Sequence, residues 1–289
     1  MDFLSPLRYP GGKAKLSQYM GLVIDANRLG DADFIEPFAG GASVGLYLLA
    51  NAYIRKLYLN DIDISIYAFW HSILNHPDNF CRRIEKISVD VKNWREQKEI
   101  QKNRYEASLF DLGFSTFFLN RTNRSGIMNG GVIGSLKQDG PWKIDSRFNK
   151  AELIRRIERI ATFSGRISIQ NLDACDFIDE IKPILSKKSL VYLDPPYFEK
   201  GPSLYRKYFD QDDHVSMADY LRGLEHLKWV ISYDNHNLLN KLYKSYRRVE
   251  FVLNYSAADS PSGSEVIIFA KSMAVPDKVQ IGINGGVPV

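Results

Sequence analysis

Four consecutive residues, Asp194-Pro195-Pro196-Tyr197, join a carboxylate, a stiff backbone and a phenol ring directly after the apolar run Leu190 to Leu193. A planar amino group on an aromatic ring is a poor nucleophile, because its lone pair is delocalised into the ring. Two acceptors can correct this. The Asp194 carboxylate and the Pro195 carbonyl can each take one N–H and leave the pair on nitrogen. Consecutive prolines fix φ and hold the preceding backbone extended, which keeps that carbonyl in place. Tyr197 adds a ring face for a base to stack on. A Pro-Pro pair in an ordinary loop is the plain alternative, and the flanking Asp and Tyr at a strand end argue against it.

A second cluster lies far upstream. The run Phe34-Ile-Glu-Pro-Phe-Ala-Gly-Gly-Ala-Ser-Val-Gly45 passes from an apolar strand through a Gly-rich turn into a helix. Glu36, Pro37, Phe38, Ala39, Gly40 and Gly41 therefore sit where backbone can approach a ligand closely at the carboxyl end of a sheet. The spacing is neither GxGxxG nor that of a phosphate-binding P-loop. About twenty residues on, the strand ending at Asn60 delivers Asp61, placed to accept both hydroxyls of a ribose. Asp63 competes for that role, and a helix N-cap is the structural alternative for Asp61.

The elements that must position these residues alternate. Helical periodicity covers Ala14 to Ile24 and Ala42 to Asn51, and strands are predicted at Phe34 to Glu36 and Ile54 to Asn60. Further strands are predicted at Arg166 to Gln170, Ser189 to Leu193, Trp229 to Tyr233 and Glu265 to Ala270, with helical runs Met217 to Leu224 and Asn237 to Tyr243 between them. This is the pattern of an α/β fold with a doubly wound, mostly parallel sheet. Residues 62 to 121 instead look helical throughout, and 122 to 150 are rich in Gly, Asn and Ser. The expected organisation is a catalytic domain in two parts, 1–68 and 164–289, interrupted by an inserted, mainly helical domain at 69–163. The net charge is +4, and the whole positive excess falls in that insertion. Its window Leu112 to Gln138 has no acidic residue but contains Arg121, Arg124 and Lys137, with amides at Asn120, Asn123, Asn129 and Gln138. Such a loop suits a polyanion, although Arg121 and Arg124 could equally read guanine or anchor phosphate.

Other chemistries find no support. The 2 cysteines, Cys81 and Cys175, form no metal-ligand spacing and no Pro-Cys nucleophile, and the 5 histidines supply no zinc-deaminase pattern. No metal is expected. No stretch is long and apolar enough to cross a membrane, and the composition, 45% hydrophobic and 25% charged, is that of a soluble, cytoplasmic protein.

With these residues in view, the chain resembles the Dam-like family of adenine-N6 DNA methyltransferases over nearly its whole length. The family's Arg-Tyr-Pro-Gly-Gly-Lys appears as Arg8 to Lys13, its cofactor motif as Phe34 to Gly41, and its catalytic Asp-Pro-Pro-Tyr as Asp194 to Tyr197. The order, with a recognition domain between the last two, is also the family's. The resemblance implies a methyltransferase fold, S-adenosyl-L-methionine as cofactor, and duplex DNA as partner. It implies that Tyr9 and Lys13 contact the cofactor, that Asp61 holds its ribose, and that Asp176-Phe177 brackets its adenine. Phe177 as a core aromatic, and Asp173 or Asp176 as helix caps, are the alternatives. Asn120, Arg121, Asn123, Arg124, Lys137 and Tyr208 are the expected DNA contacts. Ser232-Tyr-Asp-Asn235 and Glu265-Val-Ile-Ile resemble later sheet motifs and are read as scaffold. The run after Asn120-Arg121 differs from that of members methylating GATC, so that site is not assigned. The implied reaction is direct, in-line transfer to a flipped-out adenine, with no covalent intermediate. The rival substrates are RNA bases or protein glutamine. A cognate restriction endonuclease is a conceivable partner, and a monomer or weak dimer is expected.

Overall fold

A computed structural model describes residues 4–8, 14–198, 209–253 and 263–277. Tyr9, Lys13 and Tyr208 lie outside the described residues. A seven-stranded sheet in the order β3-β2-β1-β4-β5-β7-β6 forms the centre. β1 (Ala32–Glu36) is buried along its whole length, as a strand covered on both faces must be. It pairs in parallel with β2 (Ile54–Asn60) on one side and β4 (Leu190–Leu193) on the other. β3 (Ile167–Gln170) extends the sheet beyond β2, and β5 (Lys228–Asp234) extends it beyond β4, both in parallel. The strand order reverses between β1 and β4. At such a switch point the connections leave to opposite faces, which opens a crevice at the carboxyl edge.

β7 (Gly263–Phe269) runs antiparallel to β5 and to β6 (Arg247–Leu253). Reversal has a functional consequence: the start of β7 meets the end of β5, with Glu265 opposite Asp234. β6 was not foreseen in the sequence, because Arg247, Arg248 and Glu250 interrupt its apolar pattern.

Between β2 and β3 a doubly wound fold needs only one crossover helix, which is α3 (Ile64–Asn75), N-capped by the Asp63 side chain on Ser65 N–H. Here α4 (Pro77–Lys86), α5 (Val91–Lys102), α6 (Leu109–Thr122) and α7 (Lys150–Ala161) intervene as well. The expected boundary at residue 69 falls inside α3, whose Phe69 and Trp70 are fully buried. α6 packs so closely on α3 that a Cβ at Gly113 would stand 2.4 Å from the Ala68 carbonyl oxygen. The two helices are antiparallel: Ser72 Oγ contacts Leu109 O at 3.2 Å, whereas Ser65 reaches Thr116 through the Gln101 side chain. Because α3 begins at the carboxyl edge of the sheet, α6 ends there. Phe69, Phe80, Phe114, Phe117, Phe118 and Phe148 fuse these helices into one aromatic core, each ring contributing about 2–3 kcal/mol by burial.

Candidate active site

The register of β4 against β5 brings the end of β4 beside Ser232. Its hydroxyl donates to Asp194 Oδ1 at 3.0 Å and lies 3.0 Å from the Tyr192 hydroxyl. A serine has one proton to give, so with that proton on the carboxylate, Tyr192 is the donor into Ser232. Tyr197, 4% exposed, donates its hydroxyl to Glu265 Oε1 at 2.8 Å, and Phe198 N–H donates to Asp234 Oδ1 at 3.0 Å. The Asp194–Phe198 segment is thereby fastened to β5 and β7 at three points. Asp194 and Pro196 are half-buried and Pro195 is buried. Ser232 and Glu265, read from the sequence as scaffold, thus touch the catalytic motif directly.

The Gly-rich turn after β1 is equally constrained. Gly40 and Ala42 have φ of 45° and 46°, the left-handed region that Gly enters without strain. Trp70 Nε1 donates to Gly40 O at 2.9 Å, and Ala39 N–H donates to Asn60 O at 2.8 Å. The Asn60 amide donates to Pro37 O and Leu172 O and accepts from Leu172 N–H, joining the turn to the loop after β3. Nothing in the sequence distinguished Asn60 from any polar strand end. Phe38 is half-buried and meets Phe209 edge to face at 5.6 Å.

Two acids face this turn. Glu36 accepts Gly45 N–H at 2.9 Å through Oε1, while its Oε2 is buried without a hydrogen-bond partner. Burial pushes its carboxyl up to about 8, opposed by the Gly45 bond and assisted by the charge of Asp194. That coupling puts Glu36 and Asp194 within electrostatic reach of each other at one edge of the sheet. Asp61 accepts Gly40 N–H through Oδ2 and Asp63 N–H through Oδ1, each at 2.9 Å, and burial followed by Asp63 pushes it up to about 7. Asp63 itself takes the N-cap of α3, so Asp61 is not the cap. An orphaned carboxylate oxygen on Glu36 and a second acid whose ionisation burial disfavours fit a cationic ligand bearing a nucleoside, because positive charge would favour the ionised form of both.

The adenine-bracketing pair is not brought together. Phe177, on α8 (Ala174–Ile181), is 1% exposed and belongs to the core, so its ring offers no face to a ligand. Asp176 is exposed on the first turn of that helix, which Asp173 caps through Cys175 N–H.

Residues 9–256 match the family described as D12 class N6 adenine-specific DNA methyltransferase. The chain belongs to that family. Among its relatives is the type II methyltransferase M.MjaIII of Methanocaldococcus jannaschii, 25% identical over 83% of this chain and 88% of the relative. The type II methyltransferase M.CviBI of Paramecium bursaria Chlorella virus NC1A is 22% identical over 77% and 80%. The retron Ec67 DNA adenine methylase of Escherichia coli is 25% identical over 81% of each.

Between α5 and α7 of this D12 methyltransferase, three of the expected DNA contacts are turned inward. Asn120 is 3% exposed, and its amide closes a ring with the backbone of Arg8: Oδ1 accepts Arg8 N–H and Nδ2 donates to Arg8 O, both at 2.6 Å. Nδ2 also donates to Gly126 O at 3.0 Å. Asn123 is fully buried, accepting from Trp94 Nε1 at 2.7 Å and donating to Ile127 O and Met128 O. Arg121 is 9% exposed and donates Nε–H to Pro6 O at 2.6 Å; burial, with Arg156 and Arg8 nearby, holds its guanidinium down at about 9. These side chains shape the loop from within: each is buried and directed onto backbone groups of the protein. Arg124 and Lys137 are exposed.

Among the described residues no group of His, Cys, Asp and Glu is arranged to hold a metal ion, and no helix is long and apolar enough to cross a membrane. Cys81 and Cys175 are free thiols.

Proposed function

We propose that this D12 methyltransferase uses S-adenosyl-L-methionine to methylate an adenine turned out of duplex DNA. The single observation that carries the reading is the switch of strand order between β1 and β4, which brings the strand ends bearing Glu36, Asp61 and Asp194 to one edge of the sheet. When bound, the cofactor supplies an electrophilic methyl carried on a sulfonium. Glu36 and Asp61 hold the cationic nucleoside, with Tyr9 and Lys13 assigned to it by the motif they share with the family. Asp194 accepts one N–H of the adenine amino group and Pro195 O the other, which concentrates the lone pair on nitrogen. Ser232 fixes the carboxylate, so orientation is prepared before substrate arrives. Asp194 is then the nearest acceptor for the proton that nitrogen loses as the C–N bond forms.

The insertion between α3 and β3 faces the DNA, with Arg124 and Lys137 among its exposed cations, and Tyr208 is assigned to the same role. A cognate restriction endonuclease suits the type II names of two relatives, and free thiols suit a reducing compartment such as the cytoplasm. Incubation of the protein with duplex DNA and methyl-labelled cofactor, followed by nucleoside analysis, tests the reaction. N6-methyladenine is the expected product. Label in protein, in RNA alone, or in no acceptor would overturn the reading.

A further inference from the structure

The loop joining α6 to α7 exposes two large apolar side chains, Leu136 and Trp142, at 55% and 63%. The loop that carries them is nevertheless well tied. Gln138 Nε2 donates to Ile133 O and Ser135 O, and its Oε1 accepts Ile144 N–H at 2.8 Å, so one amide closes both limbs. Gly134, at φ 80°, lies so near the Trp142 backbone that a Cβ there would be 2.4 Å from the Trp142 carbonyl oxygen. The backbone of Trp142 is therefore packed while its ring stands in solvent. A structured loop that holds a tryptophan outward forgoes the burial that ring would otherwise contribute.

The surroundings select the occupant. The Arg147 guanidinium lies 5.7 Å from the Trp142 ring centroid, and Lys137, Lys143 and Arg124 are exposed on the same loop. Asp139 and Asp145 are the opposing acids, the first engaged by Ser135 Oγ. Arg147 also acts electrostatically on Arg8, whose guanidinium binds Asn123 O at the root of the loop. Cations around an exposed aromatic ring match a partner with phosphates and stackable bases. Because α6 ends at the carboxyl edge of the sheet, the loop starts from the edge that holds Asp194.

We propose that Trp142, flanked by Leu136, stacks against a nucleobase of the duplex substrate while Lys137, Lys143 and Arg147 engage the adjoining phosphates. This rests on the DNA methyltransferase reading and adds the element that grips the duplex. Of the 4 tryptophans, Trp70 and Trp229 are buried and Trp94 is half-buried, so Trp142 dominates the quenchable emission.

The test titrates the wild-type chain, Trp142→Ala and Trp142→Phe with an oligonucleotide duplex, reading tryptophan emission, acrylamide quenching and methyl transfer. Duplex should quench wild-type emission and shield it from acrylamide. Trp142→Ala should weaken DNA affinity roughly tenfold, with cofactor affinity unchanged, and Trp142→Phe should recover most of the loss. Methyl transfer by wild type with equal DNA affinity in Trp142→Ala would overturn the proposal alone. Quenching by duplex without methyl transfer would support it while overturning the reaction. Emission that follows protein concentration and ignores DNA would overturn it in favour of a second copy on this face.

Discussion

Glu36, Asp61 and Asp194 are acids gathered from three strand ends to one edge of the sheet, two of them at a cost in ionisation. In the loop after α6, Asn120, Arg121 and Asn123 have side chains equally suited to DNA, yet they are turned inward onto backbone groups. The difference lies in how backbone is satisfied. The sheet's hydrogen-bond ladder pairs the strands themselves, so Glu36 and Asp61 serve only the adjoining turns, and a carboxylate has acceptor sites to spare: Glu36 Oε2 is left over for a ligand. An irregular loop has no such ladder, and its buried carbonyls recruit the nearest amide or guanidinium.

Four substitutions sharpen or break that contrast. The largest effect belongs to Asp194→Ala, which should lower kcat roughly 10²–10³-fold and leave cofactor affinity within about tenfold; turnover near wild type would remove Asp194 from the chemistry. Asn123→Ala strands the Trp94 N–H and two carbonyls, so thermal unfolding should report a loss of about 2–3 kcal/mol. A loss no greater than an exposed substitution would mean that this loop is not built from within.

Glu36→Gln probes ionisation. An acid whose carboxyl rises to about 8 on folding holds its proton more tightly in the folded state, as does Asp61 at about 7. Their contribution is complete below the unfolded value and is lost as pH rises through the folded ones. The ligand-free protein should therefore lose thermal stability from about pH 5 to pH 8, and Glu36→Gln should flatten that slope. An unaltered slope would place the titration elsewhere. The smallest effect on folding is expected from Arg124→Ala: stability within about 0.5 kcal/mol, but a plot of log DNA affinity against log salt shallower by about 1. An identical salt slope would show that Arg124 meets no phosphate.

Much of the sheet was legible because strands covered on both faces leave short apolar runs bounded by turn residues; β2 coincides with its expected range, and β1, β4 and β5 differ by a few residues at their ends. β6 escaped because an edge strand tolerates Arg247, Arg248 and Glu250, which erase the apolar signal. The catalytic motif was legible for a related reason: a strand, an acid and two prolines form a local unit. Phe177 was open between ligand and core, and on α8 it packs into the core. Asn60, Ser232 and Glu265 were invisible as site residues, since each acts on a partner distant in the chain.

By itself the sequence determined which chemistry was available: a carboxylate before two prolines, a glycine turn after a strand, and a basic insertion between them. Tertiary structure alone decided which polar side chains face the ligand. Direction depends on what surrounds a residue in space, and side-chain type is indifferent to it: the same asparagine amide can read a base or close a turn, according to whether buried backbone nearby still lacks a partner.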